Sequence, residues 1–340
     1  MPPALRAVLG KLITTLIVLF GVSILIFCIA RIIPGDPVRI ALGPNASQDM
    51  VDALRAQMHL DAPLVTQYVY FLRDVLHGDF GMSLYSKRPV IADIAQFLPA
   101  TLELMIVAGI IMVGVGLPMG ILAARTRDRW PDHLVRVITL LGVSAPGFVW
   151  AVVLMLIFAY FVPIFPIAGR ISNSFQIPQV TGFMLVDTLL AGNLAAFADA
   201  FRHIILPACA LAVTGIGQSA RLTRANMVET YRKPYAEMAQ SYGFPAGRIA
   251  RRYVFKPSLI PSLTVIGLDF ASMLGGAFLV ESVFAWPGLS RYGVNVILVK
   301  DLNGIVGTVL VIAATFLIMN IIVDLLVWWL NPRFRLGGRS

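Results

Sequence analysis

Charge is what this sequence most conspicuously lacks. Only 13% of its 340 residues are Asp, Glu, Lys or Arg, against 58% hydrophobic, whereas a soluble globular chain carries about 25% charged residues. The mean hydropathy is +0.82, and a soluble core does not account for that shortage of charge. Cysteine is scarce too: Cys28 and Cys209 both fall in apolar stretches, so a disulfide framework is excluded and the two read as small packing residues. The four histidines, His59, His77, His133 and His203, are scattered. With no HExxH, no Cys/His cluster and no Ser–His pair at a useful spacing, neither a metal site nor an intramembrane enzyme is expected. The phosphate-cradling pattern GxxxxGK[ST] is also missing; the Gly215-Ile216-Gly217-Gln218 cluster is a weak substitute inside an apolar run.

Long apolar runs are abundant instead. A helix needs about 20 mostly apolar residues to cross about 30 Å of hydrocarbon. About six segments meet that length: Leu12–Ile33, Leu98–Ala123, Leu134–Phe161, Ile204–Leu222, Ser258–Glu281 and Asn303–Leu330. The first is too long for a signal core and lacks a small-x-small cleavage site, so it reads as an uncleaved span. The fourth holds Pro207, Thr214, Gln218 and Ser219, which suits a helix facing protein or water better than one facing lipid. The fold class is therefore an all-α polytopic membrane protein.

The formal charge is +9. Nucleic acid is not the expected partner, because no basic helix stands apart from the apolar spans; the basic residues report topology instead. With the N-terminus inside, the inner segments carry Arg6, Lys11, Arg125, Arg127, Arg129 and Arg136. They then carry Arg221, Arg224, Arg232, Lys233, Arg248, Arg251, Arg252 and Lys256, and finally Arg333, Arg335 and Arg339. The first outer segment is offset by Asp36, Asp49, Asp52, Asp61, Asp74, Asp79 and Asp93. Both termini are thus expected inside, in a multi-pass inner-membrane protein.

Two outer segments are long. Residues 34–97 hold an amphipathic helix from Ser47 to His59, introduced by Pro44-Asn45 and bearing Asp49, Asp52, Arg55 and Gln57, then a second helix from Pro63 to Leu76. Residues 162–203 hold Leu185–Phe201, read as an interfacial helix, with a seventh span as the alternative. Gly116 with Gly120, and Ala271 with Gly275, are small-xxx-small pairs that let helices approach closely in lipid.

The segment from Arg221 to Lys256 is the most informative. Pro234 suits a helix's first turn, Gly243 suits the position just past a helix end, and Pro245 prevents continuation. Between them Ala236 and Ala239 alternate with bulky Tyr235, Met238 and Tyr242, and a basic helix with Arg248, Arg251 and Arg252 follows. On residues alone two readings stand: a helix that passes a push from a soluble partner into the membrane, or an amphipathic loop lying on anionic lipid. Intramembrane carboxylates are costly and functional by default. Asp269 therefore becomes a candidate for lining a pathway, with Ser272, Gln218 and Asn320. Asp324 and Glu281 read more simply as structural. A proton-coupled carrier relaying through Asp269 and Asp324 is the alternative.

Tyr235, Ala239, Gly243, Arg252 and Leu259-Ile260-Pro261 recur at the spacing of one known loop. Further matches are Pro34-Gly35-Asp36-Pro37, GDFGMSLYSKRPV from Gly78, Leu98-Pro99-Ala100-Thr101-Leu102-Glu103, VESVFAWPGLSRYG from Val280 and NIIVDLLVWWLNPRFR from Asn320. Together they make the chain resemble the dipeptide/oligopeptide/nickel branch of binding-protein-dependent ABC importer permeases over nearly its whole length. The resemblance implies the type I ABC importer permease fold, with an N-terminal helix at 1–33, an extracytoplasmic segment at 34–97 and a permease domain at 98–340. It further implies that the loop 221–256 couples to an ATPase through Tyr235, Ala236, Glu237, Met238, Ala239, Ser241, Tyr242 and Gly243. The chain itself would bind no cofactor. ATP-Mg would be held by two ATPase subunits or domains, beside a second homologous permease, an extracytoplasmic binding protein and membrane lipid. The cargo implied is a di- or oligopeptide. Three departures from the family pattern are Tyr253 in place of His, Asp269 in place of an uncharged residue, and a longer segment 162–203.

Overall fold

A computed structural model describes residues 3–32, 47–57 and 60–330. Helix dominates the described residues, whose only β feature is the isolated antiparallel bridge Met82–Pro89. The chain divides into two compact units, Met1–Leu98 with Leu289–Leu317, and Pro99–Gly288 with Ile318–Ser340. Among the described residues five helices are long and apolar enough to cross a membrane, or six if a bent pair counts as one span.

The first unit begins with α1 (Pro3–Ile32), then α2 (Gln48–Gln57) and α3 (Leu64–Leu76). In α2 Val51 is buried while Asp49 and Asp52 face solvent, with Asp49 in the first turn and Arg55 in the last, each suited to the helix dipole. Aromatic contacts hold α3 to α1: the Phe27 ring lies 5.3 Å from Tyr68 and 5.5 Å from Phe71, and the Ser23 and Tyr68 hydroxyls are 2.7 Å apart. The GDFGMSLYSKRPV segment closes as a tight turn in which the Ser83 amide donates to the Arg88 carbonyl at 2.8 Å. Helix α4 (Val90–Arg125) starts in this unit and continues into the second, as does the last helix. Buried Val90 and Ile94 meet Leu289, Tyr292 and Val296 of α12 (Leu289–Leu298).

The second unit is built around α8 (Leu194–Tyr231), which packs on α5 (Trp130–Ser144), α6 (Gly147–Met155), α7 (Met184–Leu190) and α11 (Lys256–Val283). Asn193 caps α8 by accepting from the Ala196 amide at 3.0 Å. Between α8 and α11 lie α9 (Pro234–Ser241) and the short α10 (Ala246–Arg248), the latter continuing as a π-helix through Ile249–Phe255. The chain closes with α13 (Leu302–Leu330). Gly116 and Gly120 bring α4 against α8: a Cβ on Gly116 would stand 2.0 Å from the Ser219 hydroxyl, and one on Gly120 2.6 Å from the Ala220 carbonyl. Gly275, the other expected close-packing glycine, has nothing within 4 Å.

Three expectations need adjustment. The third span is not one straight helix: α5 and α6 meet at 105°. Pro146 forces Ala145 out of the helical region, to φ −116° and ψ 143°. The fourth span is longer than Ile204–Leu222, because polar residues that lower its hydropathy still extend the helix. At 38 residues and 1.5 Å per residue it runs about 57 Å, past the hydrocarbon on both sides. Its first turns absorb part of Leu185–Phe201, which is therefore two pieces, α7 and the start of α8, rather than one interfacial helix. Pro34–Pro37, Pro44-Asn45, His59 and Arg333, Arg335 and Arg339 lie outside the described residues.

Candidate functional site

Helix α9 forms where the sequence calls for it. Pro234 occupies the first turn after Lys233 in extended conformation. Gly243 takes φ +73° just past the helix end, a conformation costly for any side chain. The Gly243 amide donates to the Gln240 carbonyl at 2.9 Å and the Phe244 amide to the Ala239 carbonyl at 3.2 Å, which closes the helix before Pro245. The inner face is Ala236 and Ala239, both buried against Ala124, Met227, Ile249 and Val254. The outer face shows Tyr235, Met238 and Tyr242, with Tyr242 73% exposed. Glu237 and Ser241 are exposed as well. One face is thus fixed by methyl-sized contacts, while the other exposes aromatic and thioether surface. Tyr253, a departure from the family pattern, stacks on Phe244 with ring centroids 6.0 Å apart, tying the exit of α9 to the π-helical segment.

A buried carboxylate that sequence reasoning passed over fixes the scaffold beneath α9. Asp132 of α5 has no exposed side-chain surface and accepts from Arg224 of α8 at 2.5 and 2.7 Å. It also accepts from Arg136 at 2.6 Å and from the Asp128 amide at 3.0 Å. Arg136 and Arg224 had been read only as topology charges. The Asp132–Arg136 spacing of four residues was the available signal; the link to Arg224, 92 positions away, left none.

The candidate pathway residues divide. Gln218 accepts from Arg221 at 3.1 Å on α8. Asp269 lies on α11, packed against α8, half-buried and within electrostatic range of Arg221; its Oδ2 is shielded and has no hydrogen-bond partner. The structure therefore adds Arg221 to this group. Ser272 is exposed, its hydroxyl turned back to the Leu268 carbonyl at 2.8 Å. Asn320 and Asp324 lie half-buried on α13.

At the far ends of α4 and α11, two of the sequence matches come together. The Thr101 hydroxyl donates to Glu281 at 2.6 Å, and the Trp286 indole N–H donates to the Ala100 carbonyl at 2.9 Å. Glu281 is fully buried, and a Cβ on Gly288 would stand 2.3 Å from its carboxylate, so the turn after α11 needs glycine there. Glu103 pairs with Arg170, whose guanidinium also donates to the Gly182 carbonyl at 2.9 Å and lies over the Trp286 ring at 5.5 Å. Asp187 closes the adjacent turn, accepting from the Thr181 hydroxyl at 2.6 Å and the Gly182 amide at 3.0 Å. Burial pushes the Asp187 carboxyl up, but these donors outweigh it and hold it below the usual range.

No group of three or more His, Cys, Asp or Glu among the described residues could hold a metal ion. Comparison with known proteins gives a consistent result. Residues 116–336 match the family described as binding-protein-dependent transport system inner membrane component, and residues 4–105 match its N-terminal counterpart. The chain is 40% identical over 323 residues to the probable D,D-dipeptide transport system permease protein DdpB of Escherichia coli (strain K12), covering 95% of each chain. It is 36% identical over 329 residues to the di/tripeptide transport system permease protein DppB of Pseudomonas aeruginosa (strain UCBPP-PA14), covering 96% of this chain and 97% of that one. It is 32% identical over 331 residues to the glutathione transport system permease protein GsiC of Escherichia coli (strain K12), covering 97% and 99%.

Proposed function

The chain belongs to the family of binding-protein-dependent transport system inner membrane components, and from that premise we propose that its cargo is a di- or oligopeptide. As a family member it is the multi-pass permease of an ABC importer, not an enzyme. ATPase subunits and an extracytoplasmic binding protein complete the system. The peptide reading is supported by relatives whose names specify dipeptide, di/tripeptide and glutathione transport. ATP-Mg belongs to the partner ATPases, two per complex, and a second, similar permease completes the pathway. The excess of Lys and Arg in the segments joining α4 to α5 and α8 to α11 supports cytoplasmic termini and a cytoplasmic α9. The functional division is 1–33, 34–97 and 98–340.

In this reading α9 is the coupling element. Tyr235, Met238 and Tyr242 enter a groove of the ATPase, with Glu237 and Ser241 at the rim. Ala236, Ala239 and Gly243 set the angle at which the helix leaves its scaffold. The observation that carries it is the division of α9 into a buried alanine face and an exposed aromatic one. Gln218, Asp269, Ser272 and Asn320 face the translocation path; ATP-driven transport leaves no need for the proton relay through Asp269 and Asp324.

The test starts from the tagged chain purified in mild detergent with whatever accompanies it, reconstituted into vesicles, and assayed for ATP hydrolysis and uptake of labelled dipeptide. A Walker-motif ATPase and a second permease should co-purify. Gly243→Val should abolish uptake while hydrolysis continues, because a β-branched residue at φ +73° reorients the helix exit. Uptake unchanged in that variant would remove α9 from the coupling role.

A further inference from the structure

Beside α9, within the Pro99–Gly288 unit, the structure holds a recess of about 440 Å³. Its walls come from three places: Arg125 and Arg127 at the end of α4, Tyr231 and Arg232 at the end of α8, and Gln240 and Phe244 on α9 and its exit. The recess therefore follows α9 from just before its first residue to just after its closing glycine. Its charge is uncompensated. Asp132 is taken up by Arg136 and Arg224, Glu229 by Lys233 at 2.8 Å, and Asp128 by Arg127 and Arg136 at 3.2 Å. Arg125 and Arg232 are exposed and make no ion pair or side-chain hydrogen bond among the described residues. In water this costs little, because hydration satisfies both guanidinium groups. Under a covering protein that water is displaced, and a guanidinium left without a partner becomes strongly unfavourable.

We propose that this recess receives an acidic side chain of the ATPase that takes α9, with Arg125 and Arg232 as the principal donors and Arg127 at the rim. The proposal rests on the coupling reading of α9 and adds two things to it: a carboxylate as the partner's group, and donors that belong to α8's exit and α4 rather than to α9. A groove that closes over Tyr235, Met238 and Tyr242 brings the partner's surface against the recess, because Gln240 and Phe244 form one of its walls. A carboxylate is the group that meets the need there, since each guanidinium offers paired N–H donors in a fixed fork that matches its two oxygens. Two arginines at the ends of two different helices then grip the ATPase beside α9. A movement of the partner is passed to α4 and α8 directly as well as through α9.

The experiment titrates the co-purifying ATPase onto vesicles that hold the full chain with its accompanying permease, at several salt concentrations. In Arg125→Gln/Arg232→Gln the affinity should fall about thirtyfold, and its dependence on salt should flatten. Arg251→Gln/Arg252→Gln removes the same charge outside the recess and should bind as the wild type does. An unchanged melting temperature shows that each variant is folded. If the double variant is not, Arg232→Gln alone, at an exposed position between α8 and α9, takes its place with the same directions. In Arg232→Lys, carbodiimide should join the new amine to an Asp or Glu of the ATPase. Changing that acidic residue to Lys together with Arg232→Glu should restore the binding that either change alone removes. Equal loss in the two charge-matched variants would reduce the effect to diffuse attraction and overturn the site. So would a cross-link to the accompanying permease, or unchanged affinity with no cross-link. Tyr242→Ala separates this inference from the reading beneath it. Binding that falls there but not in the arginine variants overturns the recess alone, whereas binding untouched by Tyr242→Ala takes α9 out of the interface and the recess with it.

Discussion

At one end of the Pro99–Gly288 unit, α9 rests on two alanines; at the other, Glu103, Arg170 and Glu281 are buried with charged or polar partners. The contrast concerns how each region tolerates movement. Apolar contacts between small side chains are non-directional, so a change in the tilt of α9 on its alanine face would strand no buried charge. A buried ion pair cannot shift without exposing an uncompensated charge to low dielectric. The Glu103–Arg170–Trp286 cluster therefore locks the far ends of α4 and α11. Asp132, clasping Arg136 and Arg224, likewise locks the ends of α5 and α8 beneath α9. Charge fixes the frame, and apolar contact carries the element proposed to respond to the ATPase.

The comparison breaks first at the charged end. Arg170→Ala leaves Glu103 buried without its cation and should cost about 3–5 kcal/mol, read as a lowered unfolding temperature in detergent by tryptophan fluorescence. The paired change Glu103→Gln/Arg170→Met should recover most of that loss. If the single variant unfolds like the wild type, the cluster is not what locks this end. At the other end, Ala239→Leu pushes α9 off Met227 and Ile249. Overpacking of this kind costs about 1–3 kcal/mol. The chain should still reach the membrane and hold the proposed second permease, but ATPase co-purification should fall sharply. Equal loss of both partners would mean that α9 supports folding as much as coupling.

How much of this was legible in the sequence differs between the same two regions. Helix α9 was readable down to its caps, because Pro234 and Gly243 act locally and alanine alternates with bulky residues at helical spacing. The span count was readable for a similar reason, since hydropathy is additive along the chain. The bend between α5 and α6 had a local cause in Pro146, yet an apolar run on both sides concealed it. The charged clusters were largely invisible. Glu103 and Arg170 are 67 positions apart, and Thr101 and Glu281 are 180 apart, so neither pair leaves a local periodicity. Arg224 was read as a topology signal because a basic residue at the end of a span has that simpler explanation. Family resemblance located the segments that carry Thr101, Glu103 and Glu281 without saying that they touch, and it did not reach Arg170.

The candidate pathway group sharpens the contrast. Asp269 has one shielded oxygen without a partner and a guanidinium nearby rather than a bound one. If it lines the path, it is neither a lock nor a packing contact. Asp269→Asn should then reduce dipeptide uptake less than about tenfold, under about 1.4 kcal/mol, and leave the unfolding temperature within error. A drop in stability comparable to Arg170→Ala would move Asp269 into the class of structural charges.

The smallest effect expected is at Asp187, where the charged end meets a solvent-accessible turn. Its folded carboxyl titrates below the ordinary value because donors from Thr181 and Gly182 outweigh burial. An unfolded aspartate titrates near about 3.9. A depressed folded value means that the unfolded state binds the proton first, so the stabilisation is fully present above about pH 4 and is lost as pH falls through the folded value. Hydrogen-exchange protection at the Thr181 and Gly182 amides should accordingly be flat from neutrality down to about pH 4 and decline only below it. The decline should begin in this turn, whose Gly182 carbonyl accepts from Arg170 and whose Leu185 amide donates to Glu103 at 2.7 Å, and should not reach α9. In Asp187→Asn the protection should start lower and lose its pH dependence. A decline that spread to the amides of α9 would instead show that the two ends of the unit are coupled through the spans, and that the charged end is not a passive frame.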